Sequence, residues 1–297
     1  MSEKEKPVLS IVIQSFERPD LLNGCIASLH ENMLDDITIP YEVIIADDGS
    51  NQKTLDFVNT LPHDKLFVNT KKAEGKGPGY TLNEANRIAE GKYVMHIEDD
   101  FWLVHKFKQE ELEATMKALD TIDGLELIRL RRILCDNAEI YRLKEYINMS
   151  EPDLHKIEHK GETYCFRVFK RFAPECKGKQ GKDGPGCEQG GPSYQYVGNP
   201  HLRNRDTLDK VGPYPEDVSI WGLENSYTVR FRESVFVTGR MMRGWFSHLG
   251  GKQTTKNNKD TFFGGQGNDV APESPKEKEQ REHDWLANSR KDIKDAV

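Results

Sequence analysis

Short apolar runs recur along an otherwise polar chain, separated by stretches with helical spacing. Residues 8–13 are β-branched and apolar, which predicts a buried strand. Arg18-Pro19-Asp20 opens a helix, because Pro and Asp suit a first helical turn, and Leu21, Leu22, Cys25, Ile26 and Leu29 follow on one face. Strands are predicted at 41–46, 65–69 and 93–97, and helices at 54–61 and 82–90, the latter stopped by Gly91. Further on, the pattern predicts a helix over 107–119 and a strand over 125–133. Residues 142–193 are less regular, with a Gly/Lys/Pro-rich loop at 177–192. Regularity returns at His201-Leu202, followed by helices at 205–211 and 219–233 and a short strand at 234–238.

Strands alternating with helices at these lengths predict an α/β fold with a doubly wound, mostly parallel sheet. Ligands of such sheets bind beyond the carboxyl ends of the strands. Two acidic clusters fall there: Asp47-Asp48 after the second strand and Glu98-Asp99-Asp100 after the fourth.

Composition narrows the field. The 297 residues can bury a large core, and 42 basic against 49 acidic residues give a net charge of −7. That balance gives no global reason to bind nucleic acid or an anionic membrane. The first residues lack the apolar stretch of a secretory leader, and no apolar run approaches the roughly 20 residues needed to cross a bilayer. Five cysteines without zinc-finger spacing suit reduced thiols, so a cytoplasmic location is the expectation.

Three consecutive acids at a strand end repel one another, and a divalent cation on their oxygens offsets that charge while bridging a diphosphate. Strict alternation would put Glu98 and Asp100 on one side and Asp99 on the other. The bland alternative is a solvated turn. Asp48 suits hydrogen bonds from a nucleobase or ribose, against an ordinary Asp-Gly turn. Lys72, Lys76 and the glycines at 75, 77 and 79 suit backbone approach to phosphates or a plain flexible hairpin, without P-loop spacing.

The segments I-V-I-Q-S-F-E-R-P-D-L-L, Y-E-V-I-I-A-D-D-G-S and G-Y-T-L-N-E-A-N-R-I-A-E-G-K-Y-V-M-H-I-E-D-D resemble, in order and spacing, the nucleotide-binding half of family 2 glycosyltransferases. G-N-P-H-L-R-N-R-D-T-L-D-K-V-G-P-Y-P-E resembles that family's acceptor-side segment. The resemblance implies a GT-A fold: a nucleotide-sugar-binding half over 7–120, an acceptor-binding and catalytic half over 121–250, and a flexible lid and polar tail over 251–297. It implies a donor that is a nucleotide sugar, with UDP favoured, and Mn²⁺ or Mg²⁺ as cofactor. Gln14 and Phe16 would flank the nucleobase and Asp48 would contact uracil or ribose. Asn83 or Arg87 would lie near the phosphates or sugar. Glu98-Asp99-Asp100 would stand for the D-x-D motif, with Asp100 the direct metal ligand, Asp99 nearer the ribose or sugar, and Glu98 a further metal-side carboxylate. His248 would complete the metal shell, since imidazole suits Mn²⁺.

Trp221-Gly222-Leu223-Glu224-Asn225 resembles the W-G-G-E-D or W-G-G-E-N motif. An amide is no base, so either Glu224 deprotonates the acceptor and the anomeric centre inverts, or the W-G-G-E-N likeness signals retention at Asn225. Inversion is the reading favoured by the first half. The acceptor, whether glycan, lipid-linked, protein or nucleic acid, is left open, as is the oligomeric state. Rival readings are a nucleotidyltransferase, a viral transferase acting on modified DNA bases, and a carbohydrate- or nucleotide-binding module without catalysis.

Overall fold

The computed structural model describes residues 5–131, 154–169, 196, 198, 200–241 and 244–248. The sequence-expected loop at 177–192 and the lid and tail over 251–297 lie outside the described residues.

The strands are β1 (Leu9–Ser15), β2 (Tyr41–Asp47), β3 (Lys65–Val68), β4 (Tyr93–Glu98), β5 (Phe101–Leu103), β6 (Leu125–Arg129), β7 (Leu154–His159), β8 (Glu162–Val168), β9 (His201–Asn204), β10 (Val237–Met241) and β11 (Phe246–His248). The helices are α1 (Pro19–Leu29), α2 (Gln52–Val58), α3 (Pro78–Ile88), α4 (Gln109–Thr121), α5 (Thr207–Val211) and α6 (Ile220–Glu233). Among the described residues the main sheet has nine strands in the order β3-β2-β1-β4-β9-β6-β10-β8-β7. β1 pairs in parallel with β2 and β4, β2 with β3, and β6 with β10, while β9 and β8 run against the rest. The α/β, mostly parallel expectation holds, and the reversed β9 joins the strands of both halves into one continuous sheet.

β1 is buried along its whole length, as a central parallel strand covered on both faces must be. Ile11 and Ile13 face a core shared with Leu22, Cys25 and Leu29 of α1 and Leu112 and Ala118 of α4. Val12 and Ile44 face the second core, with Leu82 of α3 and Leu223, Tyr227 and Phe231 of α6. Pro19 begins α1 and Ser219 caps α6, accepting from the Gly222 N–H at 3.2 Å.

Four strands escape the apolar pattern. β7 and β8 form a half-exposed hairpin within the stretch read as irregular, and β5 and β11 are only three residues each. β10 spans Val237–Met241, shifted toward the C-terminus from the expected 234–238.

Candidate functional site

The tips of β1, β2 and β4 bring the acidic residues together. Asp47 is fully buried and closes its own turn: its carboxylate accepts from the N–H groups of Gly49 (2.9 Å) and Ser50 (2.7 Å) and from the Ser50 hydroxyl (2.6 Å). Gly49 sits at φ 83°, where a side chain would strain the backbone. The turn aims Asp48 across the tip, where Thr81 donates at 2.6 Å, Asn69 at 3.1 Å and Lys72 at 3.1 Å. The Lys72 ammonium also stands over the Phe16 ring, 3.0 Å from its centroid. Phe16 itself is 41% exposed, an apolar ring offered to solvent. Gln14 is buried, and its Oε1 has no hydrogen-bond partner.

β4 ends at Glu98, so the strict alternation expected across the triplet fails: Asp99 and Asp100 form a turn into β5. Asp99 and Asp100 share one guanidinium. Arg18 pairs with Asp99 and donates to Asp100 at 2.9 Å, and the Ser15 hydroxyl donates to Asp99 at 2.8 Å. Burial pushes the Asp99 carboxyl up to about 7 despite Arg18. Burial also acts against the Asp100 charge, but His248 and Arg18 outweigh it and hold that carboxyl below its usual range. Arg18 is held more firmly protonated by Asp99, Asp100 and Glu98, against the cost of its own burial.

His248 arrives through strand pairing. β11 runs antiparallel to β5 with His248 opposite Phe101, which sets its Nε2 3.4 Å from Asp100 Oδ2 and its ring against Phe101 at 4.7 Å. The Asp100 Oδ1 atom is buried and has no hydrogen-bond partner. Among the described residues no group of three or more His, Cys, Asp or Glu is placed to hold a metal. Asp100 and His248 are the two residues here whose donor chemistry would suit a divalent cation.

Glu98 borders Gly198. An added Cβ at Gly198 would lie 2.9 Å from Glu98 Oε1 and 3.3 Å from Glu224 Oε1, so the two carboxyls flank one glycine. The Gly198 N–H donates to Glu224 Oε1 at 2.6 Å. Burial raises the Glu224 carboxyl above its usual range, opposed by the Gly198 N–H and the nearby Arg129 charge. Glu98 is raised well above the usual range by burial and by the neighbouring Asp100 and Glu224. Asn225 is exposed on α6.

Other sequence candidates have protein partners. The Asn83 amide donates to the Tyr214 carbonyl (2.9 Å) and to Glu216 (3.1 Å) and accepts from the Tyr214 N–H (2.9 Å), pinning α3 to the segment before α6. Arg87 is exposed in the last turn of α3, paired with Glu84 at 2.8 Å. Lys76 pairs with Glu216 at 2.8 Å and the Gly77 N–H donates to the Glu216 carbonyl at 2.7 Å, so that part of the loop wraps a protein segment. Arg18, Thr81, Asn69 and Gly198 were missed as site residues. Arg18 carried a signal, a cation directly beyond the first strand of a sheet whose other tips are acidic.

A model of the family described as glycosyl transferase family 2 matches residues 10–175. The chain is 31% identical over 129 residues to poly(ribitol-phosphate) β-glucosyltransferase of Bacillus spizizenii, covering 39% of this chain and 20% of that one. It is 26% identical over 175 residues to GalNAc(5)-diNAcBac-PP-undecaprenol β-1,3-glucosyltransferase of Campylobacter jejuni, covering 58% and 54%. The chain therefore spans about half, or less, of the length of these relatives. Among solved structures, S. aureus TarS aligns over 81% of this chain and 36% of its own, with a TM-score of 0.49 and 15% identity.

Proposed function

Since this chain belongs to glycosyl transferase family 2, we propose that it transfers a sugar from a nucleoside diphosphate donor to an acceptor hydroxyl, with a divalent cation at Asp100 and inversion at the anomeric carbon. One observation carries this reading: a buried carboxylate oxygen of Asp100 without a hydrogen-bond partner stands beside His248, at the strand tips that also carry Asp48 and the exposed Phe16 ring.

The exposed Phe16 ring offers a face on which a nucleobase stacks, once the Lys72 ammonium moves off it. Asp48 accepts from the base or ribose, and the uracil edge suits its acceptor-only chemistry. The unpartnered Gln14 Oε1 accepts from the same ligand. A cation bound by Asp100 and His248 supplies neutralising charge for the departing diphosphate. Arg18 holds Asp99 and Asp100 in place and contributes positive charge beside the same phosphates. On the acceptor side, Gly198 fixes one oxygen of Glu224 and leaves the other for the attacking hydroxyl's proton. Its raised proton affinity suits a base working near neutral pH.

The test supplies UDP-sugars with Mn²⁺, Mg²⁺ or EDTA and measures release of UDP and the anomeric configuration of the product by proton NMR. Cation-dependent UDP release with an inverted product is the expected result. Equal turnover in EDTA removes the cation, and a retained configuration removes the base role of Glu224.

A further inference from the structure

The Gly-rich loop at 75–79 meets the segment ahead of α6 main chain to main chain. An added Cβ at Gly77 would lie 2.8 Å from the Val218 carbonyl oxygen, and one at Gly79 would collide with the Pro215 carbonyl, so neither position has room for a side chain. The Gly77 N–H donates to the Glu216 carbonyl at 2.7 Å. Side chains close the same contact. Glu216 accepts from Lys76 on Oε2 at 2.8 Å and from Asn83 on Oε1 at 3.1 Å, and Asn83 also binds the N–H and the carbonyl of Tyr214 (2.9 Å each). Lys76 holds the Glu216 carboxyl below its usual range and Glu216 raises the Lys76 pKa, so both are ionised across neutral pH.

Each side of this contact leads to a different part of the site. On the loop side, the Asn69 amide donates both to the Lys76 carbonyl (3.0 Å) and to Asp48 (3.1 Å), so the loop is tied to the strand tip that carries Asp48. On the other side, Ser219 caps α6 just beyond Glu216, and Glu224 follows on that helix. Leu223, beside Glu224, is fully buried, and its Cδ1 lies 3.3 Å from where a Gly79 Cβ would stand. Glu224 accepts from the Gly198 N–H, and Thr228, one turn on, bonds the N–H and the carbonyl of Tyr196 (3.2 and 2.9 Å). A shift of α6 therefore moves Glu224 together with its contacts.

We propose that Glu216 is a positioning residue: it ties the start of α6, and with it Glu224, to the loop that braces Asp48, so that filling the donor side steadies the base. This rests on the transferase reading above. A donor hydrogen-bonded to Asp48 engages the carboxylate that Asn69 holds, which is how occupancy reaches the loop. The ion pair has partners 38% and 34% exposed, so it adds little to global stability, and its removal is expected to loosen the contact while leaving the fold. The consequence falls on geometry, where a misplacement of about 1 Å costs on the order of 10²-fold in rate.

Hydrogen exchange on the full chain, read by mass spectrometry with and without saturating UDP and Mn²⁺, tests this. UDP is expected to slow exchange over residues 220–228 roughly threefold or more, with α4, packed in the opposite core, as the reference. In Glu216→Ala and in Lys76→Met that protection is expected to disappear although UDP, followed by calorimetry, still binds. Glu216→Gln keeps an oxygen for Lys76 and Asn83 and restores part of it. A role confined to stability would lower the melting temperature and leave the UDP-dependent difference in place, and that result overturns the proposal. So does a wild-type chain that binds UDP without slower exchange over 220–228. Lys76→Met breaks the same ion pair from the other side and decides the question if Glu216→Ala does not fold. A wild-type chain that binds no UDP takes down the donor reading and this one with it.

Discussion

Two stretches of the same sheet edge carry opposite charge. At the tips of β1, β2 and β4 stand Asp48, held by Thr81, Asn69 and Lys72, and Asp99 and Asp100, which share the Arg18 guanidinium. Along β6, β10 and β8 stand Arg129, Arg240 and Arg167. Both sets are largely withdrawn from water, where a charge is costly unless something answers it. On the acidic side the Arg18 guanidinium answers Asp99 and Asp100, whereas the basic side lays guanidinium groups at facing positions of three neighbouring strands. Glu224 and Glu98 sit between the two, around Gly198.

Asp100→Ala should break the acidic side most severely. Transfer is expected to fall by roughly three orders of magnitude, with Mn²⁺ binding, followed by water proton relaxation, lost while the fold survives. Undiminished Mn²⁺ binding would remove the distinction between the two sides. Glu224→Gln comes next. A drop in kcat of about 10²–10⁴ is expected with little change in donor KM. A base works only deprotonated, so wild-type activity falls as pH drops through the Glu224 pKa. Because burial raises that pKa, the acid limb should lie above the usual carboxylate range and be absent in the variant.

Arg18→Gln sharpens the comparison through stability. It leaves Asp99 without its guanidinium and Asp100 with His248 alone, a loss of about 2 kcal/mol at pH 8 in urea unfolding, moderated by the 30% exposure of the Arg18 side chain. Asp99 titrates near 7 when folded against 3.8 for the free group, so its ionisation penalty is full above about 7 and vanishes toward 4. The difference between wild type and variant should therefore shrink between pH 8 and pH 5, and a pH-independent difference would show that Arg18 acts through packing alone. Glu113→Gln is the smallest effect and the control. Glu113 ties α4 to the β7–β8 turn through Lys160 and His159 (2.6 Å each), and these contacts outweigh partial burial to hold it at about 2. A folded pKa below the usual 4.5 contributes stability above that value, lost as pH falls toward 2. The variant should cost about 1 kcal/mol near neutral pH and leave donor binding unchanged.

The first hundred residues were legible because β1, β2 and β4 are buried on both faces. A continuous apolar run such as that of β1 leaves little choice of element, and an acidic group directly after such a run must lie at a strand tip. The hairpin β7–β8 was not legible, because half-exposed strands with charged residues carry a weak pattern. β5 and β11 are too short to show any period, yet their pairing is what brings His248 to Asp100. Nor was it legible that the Asn83 amide bonds Tyr214 and Glu216, a contact between segments distant in sequence.

From the residues alone came the α/β alternation, the acidic tips and the family. These follow from local spacing, since burial on two faces and a period of two or 3.6 are written within ten residues of chain. Tertiary structure alone decided that Arg18 bridges Asp99 and Asp100, that Glu98 and Glu224 flank Gly198, and that three arginines from three strands stand in line. Strand order and register set those neighbours, and both depend on how distant segments pack rather than on any local pattern.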